Sequence, residues 1–368
     1  MKETTTEITF KTPFDRHGHL RELESLLKFV LTYTVRQFFG MVVMPNLTNP
    51  ITTYQRAMFY RNQIFEVLRL QKRNFNPIMT AYLTDNTDPA NIKEGFERDV
   101  WRGGKLYPFG ATTNSDKGVT KLEKIFDVLE IMEEIKMPLL VHPETDVSRY
   151  EISFFDRERV YTDESLTEIH KRFPGLIISV EHITTKEACQ FVESCPNNVV
   201  GTITPQHIMY DNNALFHNGV PPYKPGFYAE NMCLPILKYK SDVDYIRNAI
   251  MFGNKRFKFG AGTDTAPHDQ IAKHDHCSRC GVYNAPNAVE FYAMVFEEMG
   301  CLNTKEGVRI FERFMSENNL WIYQIESSKE TVTLVKEEQI IPEIMPGNIR
   351  PFKAGQTIHW TLKPRILA

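Results

Sequence analysis

The sequence predicts an α/β protein, a (βα)8 TIM barrel with a C-terminal extension. Three observations carry this. Short apolar runs alternate with longer helical patterns along most of the chain, as parallel strands joined by crossover helices do. Most of those runs carry Val, Ile, Leu or Phe on both faces, as strands covered on both sides should. Histidines, a lysine, an asparagine and an aspartate recur in or just after the runs. In a closed barrel the carboxyl ends of all strands meet on one rim. In an open sheet the same residues would lie along a line and could not converge.

Eight runs fit as strands: Glu7–Thr12, Phe38–Met44, Asn76–Tyr82, Gly103–Tyr107, Pro138–His142, Leu176–His182, Val199–Ile203 and Phe257–Gly262. The helices between them have start and stop signals. Thr53–Gln71 reads as a long helix. Thr120 with Glu123 makes a capping box ahead of Lys121–Lys136, and Thr184 with Glu187 does so ahead of Ala188–Cys195. Ser241 with Asp244 opens a helix through Met251 that Gly253 ends. Pro221–Tyr228 reads as a loop above the rim. Pro286–Gly300 and Lys305–Asn318 read as helices, and Thr331–Val335 and Thr357–Thr361 as small strands or an extended tail. This stretch holds too few apolar residues for its own core. One domain over 1–368 is therefore expected, with a barrel over about 5–285 and an extension over 286–368.

The 368 residues are 42% hydrophobic and 24% charged, enough for a large core. A net charge of -3 with no long basic or acidic block argues against a nucleic-acid partner. Met1-Lys2-Glu3-Thr4 lacks the apolar core of a signal peptide, and no apolar run could cross a bilayer. The expected compartment is the cytosol. Six cysteines are too sparse for a disulfide scaffold.

The polar residues suggest a metal centre. His17 and His19, at i and i+2 on extended backbone, point to one face and can reach one ion. Arg21, one step on, can face the same cavity, where its guanidinium suits a carboxylate. His142, His182 and Asp264 follow later strands. Four imidazoles and one carboxylate suffice for one or two ions such as Zn²⁺. Lys105 is the odd member, because an ammonium would be repelled by dications. Its amine could react with CO2 to give a carbamate able to bridge two metals.

At this point the chain resembles the dihydroorotases, specifically the monofunctional bacterial-type class of the amidohydrolase superfamily. The resemblance lies in His17-Gly18-His19-Leu20-Arg21, Met44-Pro45-Asn46-Leu47, Lys105-Leu106-Tyr107-Pro108, Ala111-Thr112-Thr113-Asn114-Ser115 and Leu140-Val141-His142. It continues through Glu181-His182-Ile183-Thr184-Thr185, Thr204-Pro205-Gln206-His207, Cys233-Leu234-Pro235-Ile236-Leu237-Lys238, Gly262 to His268, Asn284-Ala285-Pro286 and Phe352-Lys353-Ala354-Gly355. It implies zinc-dependent, reversible cyclisation of N-carbamoyl-L-aspartate to L-dihydroorotate in pyrimidine biosynthesis. It also implies His17, His19 and Asp264 on one zinc, His142 and His182 on the second, and carboxylated Lys105 and a hydroxide bridging them. Asp264 would be the general acid and base. Arg21, Asn46 and His268 would hold the substrate carboxylate, and backbone groups near Leu234 and Cys280 the ring edge. The Thr112-Thr113 loop would close over substrate. A homodimer is implied as well.

Arg16, Gly18, Gly110 and Pro143 depart from the residues associated with that class, and none of them is a ligand position. His274, His276, Cys277 and Cys280 lie close in sequence, but four ligands so tightly packed rarely close a tetrahedron. His207 reads as a hydrogen-bonded rim histidine, and Cys233 as a packed thiol. Two rival readings remain. A hydantoinase-like cyclic amidase would share the metals but not the carboxylate-binding trio. A catalytically silent barrel supporting an assembly would be expected to lose ligands.

Overall fold

The computed structural model of the chain describes residues 6–146, 148–217 and 224–363. Met1–Thr4 and Pro221–Tyr223 of the loop expectation lie outside these. The elements run β1 (Glu7–Lys11), β2 (Asp15–Gly18), α1 (Glu24–Gln37), β3 (Gly40–Val43), α2 (Tyr54–Gln71), β4 (Asn76–Met79), β5 (Ala81–Tyr82), α3 (Pro89–Glu97) and β6 (Gly104–Leu106). Next come α4 (Phe126–Glu134), β7 (Leu139–Val141), α5 (Arg157–Tyr161), α6 (Thr167–Arg172), β8 (Ile178–Val180), α7 (Lys186–Ser194), β9 (Val199–Ile203), α8 (Pro205–Met209), α9 (Lys240–Met251) and β10 (Phe259–Ala261). The chain ends with α10 (Gln270–His274), α11 (Ala288–Glu298), α12 (Lys305–Ser316), β11 (Thr331–Val335), β12 (Gln339–Ile340), β13 (Thr357–Ile358) and β14 (Thr361–Leu362).

β2, β3 and β4 pair in parallel, and so do β5 through β10. β4 and β5 are one extended run broken at Thr80, whose hydroxyl donates to the Val43 carbonyl at 2.6 Å. The last seam closes through Asp264 N to His17 O at 2.8 Å and His19 N to Thr265 O at 3.1 Å. Eight strand positions therefore form a closed (βα)8 barrel. Phe14, Val42, Leu140, Val200 and Tyr323 fill its lower end, and a larger apolar layer lies between strands and helices.

One expected strand is different. Glu7–Lys11 is not in the barrel; it pairs antiparallel with β11, which pairs with β14. Only Ile8 and Phe10 face inward along it, the alternation of a half-buried strand. The first barrel strand is Asp15–Gly18, buried at all four positions. Its polar residues hid it from a search for apolar runs.

Some caps also move. Thr53 caps α2 as expected. Thr185, not Thr184, accepts from Ala188 N and caps α7. Thr120 instead donates to Asp85, and α9 starts at Lys240 without a side-chain cap.

Arg16 plugs the barrel beneath the rim. It is fully buried. Its Nε donates to Asn318 O at 2.6 Å, and its Nη1 lies 3.1 to 3.3 Å from the Phe14, Ala261 and Met315 carbonyls. A Cβ at position 260 would lie 2.6 Å from Arg16 Nε, so Gly260 makes the room. The guanidinium thus ties β2 to the end of α12. Arg16→Met should lower stability by about 3 kcal/mol, because carbonyls that lose a buried charged donor stay unsatisfied. A urea melt measures this, and an unchanged midpoint would contradict it.

Candidate active site

The site begins at Asp15 on β2. Its carboxylate accepts from Thr263 N at 2.8 Å, Thr263 Oγ1 at 2.6 Å and His17 N at 3.1 Å. It therefore fixes the segment after β10 against β2 and places Asp264 beside His17. Burial raises the Asp15 pKa to about 6, against those bonds.

Asp264 Oδ1 lies 3.0 Å from His19 Nε2 and 3.4 Å from His17 Nε2. Ligand atoms of His17, His19 and Asp264 all fall within 4.8 Å of one another. Burial alone would raise the Asp264 pKa, but bonds to the two imidazoles hold it well below the carboxylate range. Burial and Lys105 oppose charge on His17, yet Asp264 and Glu181 hold its pKa above normal. Burial lowers His19 to about 4.

The second half adjoins the first. The His17 and His182 ring centroids are 5.0 Å apart, and those of His142 and His182 are 4.6 Å apart. His142 Nδ1 lies 3.0 Å from His182 Nε2. Burial lowers both pKa values, so both rings are neutral, the form that binds metals. His182 Nδ1 is buried without a hydrogen-bond partner, and so is Lys105 Nζ on β6. Burial brings Lys105 to about 8, although Glu181 and Asp264 favour its charge.

Backbone strain gathers here. Arg21 (φ 68°), His182 (φ 41°) and Asp264 (φ 49°) are left-handed without being glycine. Each costs on the order of 1–3 kcal/mol, and such strain clusters at functional sites.

These groups open into a small cavity. Arg21, Asn46, Thr112, Thr113, Leu234 and Cys280 line it with His17, His19, His142, His182 and Asp264. Lys105 is buried and is not among the lining residues, and His268 lines an adjoining cavity shared with Arg21, Asn46 and Thr113. Arg21 Nε donates to Pro267 O at 3.2 Å, and its Nη2 lies 3.1 Å from His268 Nε2. Burial and Arg21 push His268 down to about 2, leaving a neutral ring. Asn46 Nδ2 donates to Thr113 O at 3.1 Å, and Asn114 Nδ2 to Asn46 O at 3.0 Å. The Thr112-Thr113 loop is thus tied across the mouth.

Sequence reasoning gave no role to Glu181 or Glu144. Glu181 Oε2 lies 2.5 Å from His17 Nδ1, and Glu144 Oε2 3.0 Å from His142 Nε2. Each carboxylate orients a ring so that its other nitrogen faces inward. The available signal was an acid one or two positions from a rim histidine.

No family model matches the chain. A dihydroorotase of Synechococcus sp. (strain CC9902) is 41% identical over 359 residues, covering 97% of this chain and 98% of that protein. The chain belongs to the dihydroorotase family. Another dihydroorotase, from Shewanella frigidimarina, is 42% identical over 362 residues, 97% of this chain and 99% of that protein. The solved dihydroorotase of Saccharomyces cerevisiae, in complex with 5-fluoroorotic acid, superposes with a TM-score of 0.85 at 26% identity. That match covers 98% of this chain and 100% of the yeast chain. An L-hydantoinase from Arthrobacter aurescens gives a TM-score of 0.74 at 12% identity over 96% and 82% of the two chains, a likeness of fold alone.

Within this dihydroorotase-family chain the departures have physical reasons. A Cβ at Gly18 would lie 2.4 Å from Met41 Cε, so the larger Met41 fills that space. Gly110 sits at φ 65° in the turn before the Thr-Thr loop. Pro143 is the middle of a turn in which Glu144 N donates to His142 O at 3.0 Å, which returns Glu144 to the His142 ring. His274 bonds Glu230 and His276 bonds Asp275 at an exposed edge. Among the described residues His17, His19 and Asp264 are the one group of three or more such side chains whose ligand atoms all lie within 4.8 Å of one another, and His274, His276, Cys277 and Cys280 form none. His207 is bonded to Thr204 and to Pro235 O.

Proposed function

We propose that the chain interconverts N-carbamoyl-L-aspartate and L-dihydroorotate in pyrimidine biosynthesis, with two zinc ions bridged by a carboxylated Lys105. The observation that carries this is one cavity that gathers His17, His19, His142, His182 and Asp264 with the Arg21 guanidinium. The donor set fits the metals. His17 and His19 with Asp264 would hold one ion, His142 and His182 the other, and a carbamate on Lys105, whose buried Nζ makes no hydrogen bond, would bridge them. When bound, the ions polarise the scissile carbonyl and lower the pKa of water.

In ring opening, water oxygen adds to the ring amide carbon, the C–N bond breaks, and the ring nitrogen takes a proton. Asp264, held anionic, takes the proton from water and delivers it to nitrogen. Closure runs the same steps backward and releases water. Arg21 pairs with the substrate carboxylate, with Asn46 and neutral His268 beside it. Leu234 and Cys280 meet the ring edge, and the Thr112-Thr113 loop covers it. The yeast relative's complex with 5-fluoroorotic acid supports a carboxylated pyrimidine as occupant. The chain works as one unit over 1–368, as a cytosolic homodimer without nucleic-acid partners. Among the described residues no helix is long and apolar enough to cross a membrane.

Assay of the zinc-loaded protein with carbamoyl aspartate, dihydroorotate and hydantoins tests this. Turnover of the first two only is expected. Turnover of hydantoins alone would favour the hydantoinase reading, and full zinc without any turnover would favour a silent barrel.

A further inference from the structure

Two loops form one wall of the cavity, one through Leu234 and one through Cys280 and Gly281. Neither is part of a long helix or strand. Their geometry needs another source, and Lys273 stands at their junction. Its side chain comes from α10 and is buried, 4% exposed. Its Nζ donates to Met232 O, Arg279 O and Gly281 O, each at 3.0 Å. All three ammonium protons are therefore spent on carbonyls of the two loops. The loops also meet directly, through Gly281 N to Met232 O at 2.9 Å.

The node is packed on its other side as well. A Cβ at Gly281 would lie 2.8 Å from both the Cβ and the carbonyl oxygen of Ala266. The clamped strand of chain thus lies flat against the segment that carries Ala266 and His268. Cys280 O, between two of the clamped carbonyls, lies 3.1 Å from His268 Nε2 and 3.5 Å from Thr113 Oγ1.

We infer that Lys273 is a positioning residue for substrate, fixing the Leu234 and Cys280 backbone groups that receive the pyrimidine ring edge. It touches neither substrate nor metal ligands and acts through the two loops. This rests on the dihydroorotate reading above. Without the ammonium, three carbonyls that converge on one point repel one another and the loops part. The metal-ligand side chains on and after β2, β6, β7, β8 and β10 make no bond to Lys273 and keep their places.

The test is steady-state kinetics on zinc-loaded Lys273→Met, with zinc content and thermal melting recorded. KM for dihydroorotate should rise about tenfold or more, the effect of losing an oriented polar contact, while kcat changes by less than about threefold and zinc stays full. Lys273→Arg keeps the charge but cannot give three bonds from one nitrogen, so its KM should fall between the two. A lowered melting temperature with KM unchanged would show a merely structural lysine and overturn the inference, as would equal loss in kcat with KM constant. If neither variant folds, hydrogen exchange on the unmodified protein decides. The Gly281 amide should then be among the slowest in the rim loops without substrate, and rapid exchange there would also overturn it. Absence of dihydroorotate turnover by the unmodified protein would instead sink the reading on which this rests.

Discussion

Asp264→Asn is expected to lower kcat about a thousandfold in both directions, within the range of a positioned acid–base group. Asparagine has nearly the same shape and tolerates left-handed backbone, so φ 49° at this position is no obstacle. The Asp264 N to His17 O bond that helps close the barrel is kept. What disappears is an anion that two imidazoles hold far below its ordinary pKa. Its loss removes both a metal-type donor and the only carboxylate among the described residues that line the cavity. Circular dichroism and melting should match the parent, and residual zinc should be measured with the kinetics. A kcat within tenfold of the parent would move the proton transfer to another group.

Much of this site was legible in the sequence because barrel topology converts a spacing pattern into a location. His142, His182 and Asp264 were placed by the ends of apolar runs, and those runs are the strands β7, β8 and β10. The first strand was misplaced because Asp15-Arg16-His17-Gly18 is polar yet fully buried. A search for apolar runs finds strands that bury hydrocarbon, whereas this strand buries a salt-like network. Asp15 is spent on Thr263 and His17, and Arg16 on carbonyls of the chain end. Partners more than 240 residues away decide its burial, and local pattern carries no trace of them. Glu181 and Glu144 were missed for a related reason. A carboxylate next to a histidine usually faces solvent, and only three-dimensional closure turns it onto a ring. Lys273 likewise looks like a surface lysine on a short helix until the carbonyls around it are seen.

Lys105→Gln should remove both metal and activity. Metal affinity is expected to fall by more than about 100-fold, beyond the loss seen when an outer partner of a ligand is removed. The reason lies in what an ordinary lysine would cost here. Its Nζ is fully buried and has no hydrogen-bond partner. An ammonium buried there without a hydrogen bond carries a desolvation cost that the more distant Glu181 and Asp264 charges and the Tyr107 ring, 5.1 Å away, offset only in part. Burial lowers its pKa to about 8, so a substantial share of the amine is neutral near physiological pH, and neutral amine is the form that attacks CO2. The carbamate so formed joins Asp264 and Glu181 among the site's imidazoles. Three anions so close are tolerable only with cations between them, which links carboxylation to metal binding in either order. Gln is shorter by one bond and keeps some polarity, but cannot take up CO2. Intact mass under native conditions should show one CO2 on the parent, absent from the variant and lost from the parent in acid. A Lys105→Gln protein that kept two zinc ions and parental kcat would refute the bridging role. An unmodified Lys105 in fully active, zinc-loaded protein would do so as well.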